Sequence, residues 1–251
     1  MIELDEMLLQ TGGDIPFMQG QLIIHQPTMK EIASINEKNF WAGCQILNFK
    51  KDGFFKEEDK MRLQSLTDFD VFMSIMNETK NADLQKLRTQ AFLVLSILFP
   101  GYTIKIGEDK IIFKKEEQTG FINNDNFNIF KQILCRVTAL IQNESDEFKP
   151  IGEQAKKIAE KLNKARRAKK EKEGNKDQAI LPRYISILAV GEQKDMNSFN
   201  NYTIYQIFDE FERYILKVQY DVHIQAQLAG ATGLEDVDDW MEDIHSKKKD
   251  K

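Results

Sequence analysis

Cysteine, proline and histidine are all scarce in this sequence. Its 251 residues contain two cysteines, five prolines and three histidines. Two cysteines cannot form a disulfide framework, and no Cys/His ligands stand at the close spacing of a zinc site. Cys44 and Cys135 fall inside apolar helical patterns, where reduced core thiols are the ordinary occupants. His25, His223 and His245 are expected in a strand, a helix and a terminal tail, and His223 shares a polar helical face with Gln219. Phosphate-cradling Gly-x-Gly-x-x-Gly and Walker loops are missing, as are the Gly-x-Ser-x-Gly elbow and His-Glu-x-x-His. Gly12-Gly13-Asp14 precedes no clear helix, and acidic pairs such as Glu57-Glu58 fit helix starts better than acid–base work. No catalytic, cofactor or metal site is expected.

Long apolar runs are lacking too. The longest, Ala91 to Pro100, is about half of the ~20 residues that a spanning helix needs. The start, Met1-Ile2-Glu3-Leu4-Asp5-Glu6, is acidic where a secretory leader is basic. A soluble intracellular protein is predicted. The net charge of −5 argues against a surface that is mostly a nucleic-acid footprint.

What is present is helical patterning with a little β-structure. Gln21 to His25 reads as a short strand, after a turn-rich Thr11 to Pro16. Thr28, with Glu31 three residues on, forms a capping box for a helix carrying Ile32, Ile35, Phe40, Cys44 and Leu47. Short helices follow Lys51-Asp52-Gly53. Thr67-Asp68 opens a helix with Phe69, Phe72, Met73 and Met76 on one face, and a longer helix spans about Asn81 to Phe99. Tyr102–Ile106 and Lys110–Lys114 flank Gly107-Glu108-Asp109, which predicts a hairpin. A helix from about Asn126 to Leu140 closes this part.

The expected fold is mainly α, of the α+β class. Residues 1–150 read as an α+β N-terminal domain, and 151–178 as a charged helical linker. Residues 179–251 read as a helical C-terminal region with an acidic, Trp-containing tail. In that region Ile180–Val190 is one apolar helix. From Thr203 onward Ile204, Phe208, Phe211, Ile215, Val218, Val222, Gln225 and Ala229 recur at alternating spacings of four and three, until Gly230.

Two features suit binding to another protein. The seam of Phe208, Phe211, Ile215 and Val218 has to be covered, whether by the Ile180–Val190 helix and the N-terminal core, by a partner helix or by a second copy. Trp240, Met241 and Ile244 fall on one side of a helical turn in an acidic segment, which suits an aromatic anchor against a basic partner or a fold back onto the body. The basic stretch Lys156–Lys172 lacks interleaved aromatics and reads as a solvated linker, which makes nucleic acid a minor alternative.

Several short segments resemble a known family. They are Gln26-Pro27-Thr28-Met29-Lys30-Glu31-Ile32, Phe72-Met73-Ser74-Ile75-Met76-Asn77, Thr203-Ile204-Tyr205-Gln206-Ile207-Phe208-Asp209, Gln219-Tyr220-Asp221 and Asp239-Trp240-Met241. The chain is similar, in these pieces, to tail assembly chaperones of tailed phages and prophages of Gram-positive bacteria. That resemblance implies a non-enzymatic chaperone in the host cytoplasm. Such a protein coats the helical tape measure protein and in some cases recruits tail tube subunits. The alternatives are a tail or baseplate component retained in the virion and a nucleic-acid-associated regulator using the basic linker.

Overall fold

Helix starts in this chain are written as side-chain caps, and the computed structural model, which describes residues 4–50, 66–139, 180–232 and 240–241, places them accordingly. Asp5 caps α1 (Glu6–Gln10). Thr28 and Glu31 form a reciprocal capping box at α2 (Met29–Ile35). Each side chain satisfies a backbone N–H that the helix itself leaves without a partner. The single helix predicted from Thr28 onward is in fact two. Asn36, at φ 71°, ends α2 and caps α3 (Glu37–Leu47) by accepting from Lys38 N at 2.9 Å. Asparagine tolerates positive φ, so one residue turns the chain while the apolar spacing continues past it.

Thr67 caps α4 (Asp68–Asn77) and Asn81 caps α5 (Ala82–Leu98), as the sequence predicts. Helices α3 and α5 pack closely at Gly43, where an added Cβ would overlap the Gln90 carbonyl and the Val94 side chain. Glycine is there for close approach.

Two antiparallel sheets accompany the helices. Strands β1 (Ile15–Phe17) and β2 (Leu22–Ile24) pair around Met18-Gln19-Gly20, all at positive φ. β1 lies in the stretch predicted as turn. Pro16 occurs at its exposed middle position, which a two-stranded edge tolerates. The predicted hairpin is present as β3 (Thr103–Ile106) and β4 (Ile111–Lys115). A further strand, β5 (Gln118–Ile122), makes the order β3-β4-β5. Its turn, Glu116-Glu117, has Glu116 at φ 52° and contains neither Gly nor Asn, so the usual hairpin signal is missing. Gly120 of β5 leaves room for the Leu22 side chain of β2.

Helix α6 (Asn124–Val137) is capped by Asn123. It contributes Phe127 and Phe130 to an aromatic cluster. Phe127 lies 5.0 Å from Phe69 and 5.1 Å from Phe72, while Phe99 lies 4.3 Å from Phe113, centroid to centroid. Lys131 is buried beside it. Its Nζ donates to Asp68 Oδ2 at 2.8 Å and to the Phe49 carbonyl at 3.3 Å, tying α6 to the start of α4.

The C-terminal portion comprises α7 (Ile180–Glu192), a 3-10 helix (Met196–Asn201) and α8 (Ile204–Leu228). Leu181, Leu188, Phe199, Ile204 and Ile207 belong to the same buried cluster as Phe40, Phe99 and Phe130. The fold is therefore mainly helical, α+β, with antiparallel sheets of two and three strands. Residues 151–178, predicted as linker, and the stretch directly after Gly53, where short helices are expected, lie outside the described residues. Among the described residues no helix is long and apolar enough to cross a membrane.

Candidate functional site

Helix α8 is 25 residues long, about 37 Å at ~1.5 Å per residue, and its buried side chains, Ile204, Tyr205 and Ile207, all lie at its start. Its start is fixed by hydrogen bonds that the sequence encodes locally. Thr203 Oγ1 accepts from Gln206 N at 3.2 Å, and Gln206 Oε1 accepts from Thr203 N at 2.8 Å. Gln206 Nε2 also donates to the Gln10 carbonyl at 2.6 Å, which binds α8 to the end of α1.

A backbone bridge joins this start to α2. Met29 N donates to the Tyr202 carbonyl at 2.9 Å and Ile204 N to the Pro27 carbonyl at 3.2 Å, pairing Thr28 with Thr203. Two capped helix starts thus stand side by side. They coincide with two of the segments that carry the family resemblance.

Polar contacts reinforce this junction on the α2 side. His25 holds Nδ1 2.9 Å from Asp14 Oδ1 and Nε2 3.1 Å from Glu31 Oε2. Partial burial alone would pull the imidazole pKa down. The hydrogen bonds to Asp14 and Glu31 and their charges outweigh it, so the pKa is raised from its ordinary value. For Glu31 burial acts upward, but hydrogen bonds from Thr28 N and Oγ1 and the nearby His25 hold the carboxyl below its ordinary value.

On the α7 side, Lys194 Nζ lies 2.7 Å from Glu192 Oε2 and 3.7 Å from Glu210 Oε1. It also stands over the rings of Phe199 and Tyr202. Burial, and then the charge of Glu192, push the Glu210 carboxyl above its ordinary pKa.

The seam itself divides. Ile204 is buried, as is Ile207 beside the seam, and Phe208 and Phe211 are half-buried. Tyr184 of α7 stacks on Phe211 at 3.9 Å and meets Phe208 edge-on at 5.4 Å. Beyond Tyr214, whose ring occupies the space over Gly191, exposure rises along the helix: Ile215 37%, Val218 39% and Val222 60%.

Of the other predicted contact residues, Trp240 is half-buried and Met241 is exposed, while Ile244 lies outside the described residues. Trp240 meets α8 through its backbone. Its carbonyl accepts from Arg213 Nη1 at 3.1 Å, and Arg213 lies about 160° around the helix from both Phe211 and Ile215. Leu216, Tyr220 and Ile224, on the Arg213 side, are half-buried. This second face was not among the predicted contact residues, although the four-residue spacing of those three side chains marks it.

An open cleft of about 450 Å³ exists elsewhere, lined by residues that include Asp70, Glu108 and Asp109. The Asp70 carboxylate is held below its ordinary pKa by hydrogen bonds from the Thr67 backbone and hydroxyl. Among the described residues, no histidine, cysteine or lysine lines the cleft. Among the described residues, no three His, Cys, Asp or Glu side chains are grouped to hold a metal ion.

Residues 169–245 match the family model described as YomV second domain, a phage-derived family from a Bacillus prophage. The match takes in α7, the 3-10 helix, α8 and Trp240–Met241. No curated protein and no solved structure matches the chain. The part of the molecule that carries the divided seam is thus similar to a phage-derived domain.

Proposed function

We propose that this chain is a non-enzymatic phage assembly protein that holds a partner helix on the outward half of α8. The observation that carries this reading is the seam. One uninterrupted four-and-three repeat is anchored over Ile204–Phe211 and open over Ile215–Val222. An exposed apolar stripe on a stiff, anchored helix is the geometry of helix-against-helix recognition, in which a partner supplies anchors at i, i+3, i+4 and i+7. The Arg213, Lys217 and Asp221 side chains leave the helix away from the centre of that stripe, so the open strip is uncharged.

The partner is the tape measure protein of a phage tail, met in the host cytoplasm before the tail tube closes around it, with tail tube subunits as a further partner. A long amphipathic helix aggregates when bare, and an uncharged strip of modest apolar area covers it reversibly. Similarity of residues 169–245 to a phage-derived domain supports the setting.

Co-expression with a phage tail tape measure protein tests this. The expected result is a soluble complex that survives purification. A tape measure equally soluble alone, or one that pellets despite this chain, would refute the proposal.

A further inference from the structure

The outward strip of α8 is apolar with one exception. Along Ile215, Val218, Val222, Gln225 and Ala229, only Gln225 carries a polar side chain. It follows Val222 by three residues and precedes Ala229 by four, so it stands in the strip and not beside it. Two other amides of this helix are engaged within the chain. Gln206 bonds Thr203 and the Gln10 carbonyl, and Gln227 Nε2 stands 2.8 Å from His223 Nε2. The Gln225 side chain is exposed, and its amide makes no hydrogen bond among the described residues. Both a donor and an acceptor are thus left to whatever covers the strip.

We infer that Gln225 sets the register of the helix that docks on this strip, by selecting a segment whose apolar stripe carries a hydrogen-bonding side chain opposite it. A helix pressed onto the strip takes the amide out of water. Hydrocarbon over the amide leaves its desolvation cost without a hydrogen bond in return, whereas Asn, Gln or Ser opposite it restores one. The apolar positions discriminate poorly by themselves. A partner stripe repeats every seven residues, about 10 Å along its axis. Ile215, Val218 and Val222 accept apolar side chains of similar volume, so a slide by one repeat leaves their burial nearly unchanged. A single polar position in an apolar seam removes that degeneracy and lowers affinity in exchange for selectivity. A long helical partner offers many near-equivalent stretches. The amide restricts docking to those that a polar residue interrupts.

This inference rests on the helix-docking reading above and concerns the same strip. The probes are two synthetic amphipathic peptides of about three heptads, monomeric at the concentrations used. One has Leu at every stripe position, and the other has a single central Leu replaced by Asn. Relative to Gln225→Leu, the full-length parent should favour the Asn-bearing peptide over the all-Leu peptide by about fivefold or more, the factor set by one covered amide left unpaired. Gln225→Ala, which adds no apolar bulk, should lose the same preference. Because Gln225 is exposed, both variants should melt with the parent. The same ratio of the two affinities in the parent and both variants would overturn the register role. Docking on the strip would then still stand if Val222→Ser weakens both peptides. No binding of either peptide, together with no capture of a phage tail tape measure protein, would refute the docking reading itself.

Discussion

Between Ile204 and Phe211 the seam of α8 is covered by α7 and the body of the molecule; between Ile215 and Val222 the same repeat faces outward. The residue types hardly differ. The difference lies in what stands opposite: Tyr184 stacks on Phe211, whereas beyond Tyr214 the exposure climbs. A periodic apolar pattern specifies that a face will be covered, and tertiary packing decides how much of the covering comes from the same chain. The inner half belongs to stability and the outer half is available for association.

Substitutions on the two halves should separate these roles. Ile207 is wholly buried, and Ile207→Ala should cost about 2–5 kcal/mol, the range for deleting a large aliphatic side chain from a core. Chemical denaturation measures it, and a loss below about 1 kcal/mol would mean that the inner half is not anchored as described.

A smaller, pH-dependent effect is expected at the junction that fixes the inner half. His25 has its pKa raised in the folded state, so its contribution is complete below the ordinary value of 6.5 and fades as pH climbs through the folded value. Glu31, with its pKa lowered, contributes above its ordinary 4.5 and loses that contribution as pH falls through the folded value. His25→Asn should therefore be less stable than the parent near pH 6, by at most about 1 kcal/mol for so exposed a pair, and the gap should close toward pH 9. A gap that widens with rising pH would reverse the assignment.

The smallest effect on stability belongs to the outer half. Val222→Ser should change unfolding free energy by no more than about 0.5 kcal/mol, as exposed substitutions do, while weakening capture of the tape measure in a pull-down. Equal loss of stability at Val222 and Ile207 would erase the distinction between the halves.

Much of the fold is readable because its signals are local. Thr28 with Glu31, Thr67 with Asp70 and Asn81 announce their helices through a few neighbouring residues, and the β3–β4 hairpin carries a Gly-containing turn. Reading failed where the local signal misleads. Asn36 splits one apolar pattern into two helices, Pro16 disguises β1, and Glu116-Glu117 turns a hairpin without the usual residues. At the candidate site, the seam residues were legible from spacing alone. That Trp240 stands by Arg213, on the opposite side of α8, was not legible, because contacts 27 residues apart leave no periodic trace.

The sequence by itself determined where most helices begin, which faces are apolar and that one repeat runs unbroken from Ile204 to Ala229, since caps and periodicity act over one or two turns. Only the tertiary structure decided that the Thr28 and Thr203 helix starts lock together, that the seam is closed at one end and open at the other, and that Arg213 meets the Trp240 carbonyl. Those outcomes depend on which distant surfaces meet, and no short stretch of chain encodes that.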